Sequence, residues 1–297
     1  MSILTVLSIA LAVQDNAAPD HLLLPIGAKG SRIVRPGLTD MRTGKQVTMK
    51  QFAEAAKGYR CVLIGESHDN FLHHQLQADL ISALAEAGRS VSVGFEMFTR
   101  PVQSELMEWS GGNQSEDAFI VKSDWKKQWG FDFALYRPIF AAVRKYKLPM
   151  VALNVPRDWV RAVGKNGPSG LPEEAKGQVP DLYLDNTDHK KVFEAMLGGH
   201  PMGPSMNNMY AGQVLWDEGM ADTAIKYMSN YPSENRVMAI CAGSGHILYS
   251  QGINYRIQRR TGEKTLSVVC VDSDEPRSVA NGIGEYVFLS KGANAGK

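Results

Sequence analysis

Two carboxylates and two imidazoles in this chain sit at the ends of short apolar runs. Glu66 and His68 follow Arg60 to Gly65 (RCVLIG), Glu96 closes Val91 to Met97 (VSVGFEM), and His246 follows Arg236 to Ala242 (RVMAICA) within Gly243-Ser244-Gly245-His246. Side chains of these types, drawn together from separate stretches, supply an acid/base pair or ligands for a divalent metal. Asn154, at the end of Pro149 to Asn154 (PMVALN), adds an amide able to orient a substrate. Taken singly, a Glu or His in such a place is most often a helix cap or a loop hydrogen bond. Four at equivalent positions point to function. Gly65, Gly94, Gly243 and Gly245 leave room for a ligand or another backbone. The run GSGH lacks the Lys and Ser/Thr of a phosphate loop and the third Gly of a dinucleotide fingerprint.

A second group lies on one later stretch. Tyr210, Gln213 and Asp217 fall at i, i+3 and i+7, on one helical face, where they meet either water or a crevice. Just before them come Met196, His200, Met202, Met206 and Met209, able to line a flat apolar ligand such as a porphyrin or to hold a soft metal such as copper. Methionines more commonly fill core gaps. Trp125, Trp129, Phe131, Phe133 and Tyr136 form an aromatic cluster, read chiefly as core, with Tyr136 and Arg137 as its polar handles.

To bring these groups together the chain must deliver its strand ends to one rim. Apolar runs of strand length alternate with helical patterns at about Asn70 to Ala87, Phe133 to Lys147 and Pro156 to Lys165. That alternation predicts an α/β fold, a mostly parallel sheet flanked by helices, whose ligands bind outside the carboxyl ends of the strands. In the helix after Asn70, Leu72, Leu76, Leu80, Ala83 and Leu84 are the expected buried stripe, with His73, His74 and Gln77 off it or at its margin. Ser31 to Met49 reads as an N-terminal hairpin turning at Arg42 to Lys45, and 166–188 as a long irregular excursion. A helix over about Thr187 to Leu197, a long one over about Met206 to Asn230, and strands at Leu266 to Asp272 and Tyr286 to Leu289 complete the pattern.

The totals bound the alternatives. Lys and Arg number 32 against 31 Asp and Glu, a net charge of +1, so no long-range field recruits nucleic acid. The three cysteines, Cys61, Cys241 and Cys270, lie in apolar runs without zinc or disulfide spacing. Residues 1–30 read as a signal-like segment and linker, with an apolar run from Ile3 to Val13 too short to span a bilayer, and 31–297 as a single domain. Export to the periplasm or cell envelope is the expectation, although no Lys or Arg precedes that run and no lipid-accepting cysteine follows it.

The ordered segments LIGESHDNFLHHQLQADL, GFEMF, FALYRPIFAAVRK, ALNVPR, QVLWDEGMA and AGSGHILYSQGI, spread between about Leu38 and Asp272, resemble the ChaN-like haem-binding family. Its wider superfamily includes Tiki, TraB and erythromycin esterase proteins. The resemblance implies haem capture for iron uptake, with cofacial haems at a homodimer interface and a tyrosine as iron ligand. Tyr210 is the first choice for that ligand and Tyr136 the second, with Arg137, His68, His246, Gln213 and Asp217 around the cofactor. The superfamily's enzymes imply the alternative, a hydrolase of peptides or esters. In it Glu66 or Glu96 acts as base, His68 and His246 as metal ligands or proton shuttles, and Asn154 as the orienting group.

Overall fold

The computed structural model describes residues 19–199 and 203–291, so the signal-like run, His200 and Met202 lie outside the described residues. Its strands are β1 (Ser31–Val34), β2 (Gly37–Asp40), β3 (Cys61–Ile64), β4 (Ser90–Thr99), β5 (Met150–Asn154), β6 (Arg236–Cys241), β7 (Leu266–Asp272), β8 (Arg277–Ala280) and β9 (Tyr286–Ser290). The helices are α1 (Met49–Ala55), α2 (Phe71–Glu86), α3 (Gln103–Ser110), α4 (Glu116–Lys122), α5 (Trp125–Gln128), α6 (Phe133–Tyr146), α7 (Arg157–Asn166), α8 (Thr187–Met196), α9 (Pro204–Asn230) and α10 (Ile253–Thr261).

Seven strands form one sheet in the order β2-β9-β7-β3-β6-β4-β5, parallel at every pairing except β2 with β9. Strand side chains alternate between faces. In β3, Val62 and Ile64 join one apolar layer, which includes Leu80 of α2 and Phe140 of α6, while Cys61 and Leu63 join the other, with Met220 of α9 and Ile253 of α10. Helices on both faces explain why the central strands are apolar throughout. Complete burial of Leu63 and Ile64 contributes roughly 1.5–3 kcal/mol each. All three cysteines are buried and free. No helix among the described residues is long and apolar enough to cross a membrane.

The expected α/β fold is present, with local differences. The N-terminal turn closes as a hairpin, with the Asp40 N–H donating to the Lys45 carbonyl at 2.9 Å and the Val47 N–H to Leu38 at 2.9 Å. Its outgoing arm is a single bridge, Thr39 to Gln46. β1 and β2 instead find antiparallel partners at the far end of the chain, β8 and β9, pairings no local pattern announces. The buried stripe of α2 needs correction: Leu72 is 43% exposed, whereas His73, His74 and Gln77 are fully buried. Hydrogen bonding and ring contact account for the exchange. Gln77 donates to the Ile64 carbonyl at 2.9 Å, His73 Nδ1 accepts from the Ser67 N–H at 2.9 Å, and the His74 ring lies 3.9 Å from that of Tyr136.

Candidate functional site

The loops after β3, β4 and β6 are neighbours because β6 runs between β3 and β4 in the sheet. Their polar residues meet at a cavity of about 890 Å³ bordered by Glu66, His68, Glu96, Asn154 and His246. Glu96 reaches it through an irregularity: Phe95 opposes Ala152 but Thr99 opposes Asn154, so extra residues of β4 face β5. Such a bulge re-aims a side chain that regular alternation would place elsewhere. The Asn154 amide fastens this corner, donating to the Glu96 carbonyl at 3.0 Å.

Glycine lets the loops close on each other. A Cβ at Gly65 would stand 2.7 Å from Ser244 Oγ and 3.1 Å from the Val268 carbonyl, and one at Gly243 would stand 2.8 Å from His68 Cε1. The room these glycines leave is filled by protein.

His68 Nδ1 lies 2.5 Å from Glu66 Oε1, and the other carboxylate oxygen lies 3.4 Å from His74 Nε2. Burial disfavours the Glu66 anion, but hydrogen bonds from His68 and His74 and their charge outweigh it and keep its pKa below the ordinary value. Burial likewise works against a charged His68, yet the Glu66 hydrogen bond and the charges of Glu66 and Glu96 raise its pKa. With Nδ1 turned to the carboxylate, Nε2 makes no hydrogen bond to the described residues, on a side chain 37% exposed. Trp129 and Phe131 flank the ring at 4.7 and 5.2 Å between centroids.

His246 is bound on both nitrogens. Nδ1 lies 2.6 Å from Asp217 Oδ1, and Nε2 lies 3.2 Å from Glu96 Oε1, whose partner oxygen accepts the Gly243 N–H at 2.6 Å. Although burial alone would lower the His246 pKa, Glu96 and Asp217 carry it up to about 10, so the ring is an imidazolium at neutral pH. Asp217 is fully buried, and the charges of Arg256 and His246 overcome that burial to hold its carboxyl well below the usual range. The line continues inward: Asp217 Oδ2 lies 3.1 Å from His189 Nε2, and His189 Nδ1 lies 3.1 Å from the Tyr210 hydroxyl.

The stripe of Tyr210, Gln213 and Asp217 therefore turns inward rather than to water. Gln213 borders the cavity with its amide 3.0 Å from His246 Nδ1, while Tyr210 and Asp217 stand behind it. Tyr210 is buried, with its hydroxyl 3.3 Å from the Asn186 carbonyl, and burial raises its pKa. Tyr136, also away from the cavity lining, donates to the His68 carbonyl at 3.0 Å and accepts from Trp129 Nε1 at 2.7 Å. Arg137 does not join the site, being held by Glu116 on the outer surface at 2.7 Å. The aromatic cluster divides, with Trp125 and Phe133 in the core and Trp129 and Phe131 on the cavity wall.

Five contributors escaped the sequence: His189 and Arg256 behind Asp217, and His21, Arg157 and Arg277 in the cavity lining. A lone His or Arg in a helix or tail carries no mark of its partner, and only the fold brings them in. Among the described residues no group of three or more His, Cys, Asp or Glu is placed to hold a metal ion. The acids and imidazoles are paired with one another.

Residues 52–257 match the family model described as haem-binding uptake, Tiki superfamily, ChaN. Among solved structures, the fold is similar to that of ChaN of Campylobacter jejuni with cofacial haem binding, with TM-score 0.66 and 19% identity over 90% of this chain and 100% of that one. The type III effector HopBA1 aligns at TM-score 0.47 and 14% identity, over 88% of this chain and 97% of its own. An erythromycin esterase, EreC, in its open conformation aligns at 0.45 and 13%, over 79% and 76%. No curated protein sequence matches.

Proposed function

The chain belongs to the ChaN family of haem-binding uptake proteins, in the Tiki superfamily, and from that premise we propose that it binds haem in the crevice at the carboxyl edge of the sheet. What supports haem is the cavity wall: Trp129, Phe131, Phe193, Met196, Leu197 and Trp216 offer apolar and aromatic surface beside the imidazole of His68. A flat apolar macrocycle with one polar edge fits such a lining, and the volume falls in the range of cofactor sites.

Haem, when bound, would supply a ferric iron able to accept a donor atom from the protein. Tyr210 would have to leave His189 and Asn186 to serve, and Tyr136 would have to leave His68 and Trp129. His68 needs no exchange of partners. A histidine whose Nδ1 is backed by a carboxylate and whose Nε2 is open has the arrangement of a metal ligand. We therefore assign the donor role within one copy to His68 and keep Tyr210 as the tyrosine to be tested.

Titration with ferric haem is expected to raise a Soret band, and His68→Ala to alter its position and weaken binding. If Tyr210→Phe does so and His68→Ala does not, the tyrosine is the ligand. No Soret band with either wild type or variants sinks the haem assignment. The Campylobacter protein's cofacial haems extend the proposal to a homodimer, checked by sedimentation with and without haem. Service to an iron-uptake system outside the cytoplasm is part of the same proposal.

One observation favours a second reading, a hydrolase. His68 borders the cavity with an open Nε2 and a carboxylate behind its Nδ1, the arrangement of a general base, and His246 holds Glu96 beside it. As the carboxylates are already paired, this enzyme would work by general acid/base chemistry rather than through a dedicated metal. Turnover of a chromogenic ester, abolished in both His68→Ala and His246→Gln and indifferent to chelator, is its signature.

A further inference from the structure

One charge in the cavity lining has no ion-pair partner among the described residues. Glu66 faces His68 and His74, Glu96 faces His246 and the Gly243 N–H, and Asp272 accepts from the side chains of Ser67 and Asn70. Of the two guanidinium groups in the lining, Arg277 is paired with Asp20 at 2.5 Å. Arg157, at the start of α7, has no carboxylate within 4.0 Å and no side-chain hydrogen bond among the described residues; its neighbour Asp158 is taken by Arg161 at 2.8 Å. Its guanidinium carbon stands 5.7 Å from the centre of the Trp129 ring, within cation–π range.

A partly buried guanidinium with no ion pair loses hydration that the more distant Glu96 carboxylate does not make good, and an incoming anion would restore it. Its planar fork of donors matches a carboxylate at two points. Trp129 also flanks His68, at 4.7 Å, so Arg157 and His68 both lie against the same indole. His68 and Arg157 line one cavity, so a ligand of porphyrin size that touches His68 can extend an anionic edge to Arg157.

We propose that Arg157 is the anion-recognition residue of this cavity and takes a carboxylate of the ligand, a propionate of haem. The assignment rests on the haem reading and adds the requirement for a free acid. Ferric protoporphyrin IX and its dimethyl ester, both in dilute detergent, separate the two. Wild type should bind the diacid about tenfold or more tightly than the diester. Arg157→Gln should erase that preference by weakening only the diacid, and Arg157→Lys should keep part of it. Because Arg157 makes no side-chain hydrogen bond or ion pair among the described residues, thermal melting should place both variants near the wild-type midpoint.

If Arg157→Gln binds the diacid as tightly as wild type, the role is overturned while haem binding stands. If neither porphyrin binds wild type, haem binding and the carboxylate role fall together.

Discussion

Asp217, inside α9, lies 2.6 Å from His246 Nδ1 and so pins the innermost edge of the cavity to the longest helix in the fold. The same carboxylate is shared with His189 at 3.1 Å and Arg256 at 3.6 Å, all with almost no exposed surface. Removing one member of such a group leaves the others buried without a counter-charge, which costs on the order of 3–5 kcal/mol. Asp217→Ala is therefore expected to lower the urea midpoint strongly. Asp217→Asn, which keeps hydrogen-bonding capacity, should lower it less. Equal, small losses in the two variants would mean that the carboxylate charge is not what holds this edge.

His246 also gives stability a pH dependence of definite sign. Its folded pKa of about 10 stands above the ordinary value of 6.5, so the unfolded chain releases a proton that the folded protein keeps. The stabilisation is complete below pH 6.5 and is lost as pH rises toward 10. Buried Cys61, whose thiol burial pushes up to about 12, adds to the loss only where an unfolded thiol ionises, near pH 9. Between pH 6.5 and 8.5 the decline belongs to His246 together with His68, whose pKa is also raised, and it should be shallower in His246→Gln. A wild-type profile flat across that interval would contradict the imidazolium assignment.

Much of this arrangement is legible in the chain. β3, β4, β5 and β6 are continuous apolar runs because both faces are covered, and their shared direction places Glu66, Glu96 and His246 at one rim. The i, i+3, i+7 spacing of Tyr210, Gln213 and Asp217 likewise marks one shared polar face, although it leaves open whether that face meets water or the crevice. Legibility ends where a partner comes from afar. Nothing near His189 marks Asp217, β1 and β2 pair with strands more than 200 residues away, and Arg157 reads as an ordinary first-turn residue. Arg137 and Tyr136 show the opposite failure. Adjacent to the right aromatics in sequence, they point to a surface carboxylate and a backbone carbonyl.

Gly65 and Gly243 should respond differently to the same added methyl. At Gly65 the new Cβ meets Ser244 Oγ at 2.7 Å and the fixed Val268 carbonyl at 3.1 Å, so strands must shift. Overpacking of this kind costs about 1–3 kcal/mol. At Gly243 the obstacle is the His68 ring at 2.8 Å, which can turn aside only by leaving Glu66. Gly65→Ala is expected to lower the melting temperature, and Gly243→Ala to weaken haem binding with a smaller change in melting. The reverse pattern would separate His68 from ligand binding.

Tyr136→Phe tests whether the aromatic wall is held from behind. The phenol joins two parts of the site, donating to the His68 carbonyl at 3.0 Å and accepting from Trp129 Nε1 at 2.7 Å. Without the oxygen a largely buried indole N–H and a carbonyl lose their partner at once, a cost of about 1–3 kcal/mol. Trp129 would then be free to rotate, and with it the surface against which both His68 and Arg157 lie. The variant should accordingly lose stability, weaken haem binding and change the tryptophan fluorescence together. Because the phenol is buried and its pKa lies far above the ordinary range, it does not serve as an anion at neutral pH. Lost affinity in Tyr136→Phe with stability and fluorescence unchanged would instead make Tyr136 the iron ligand and displace His68 from that role.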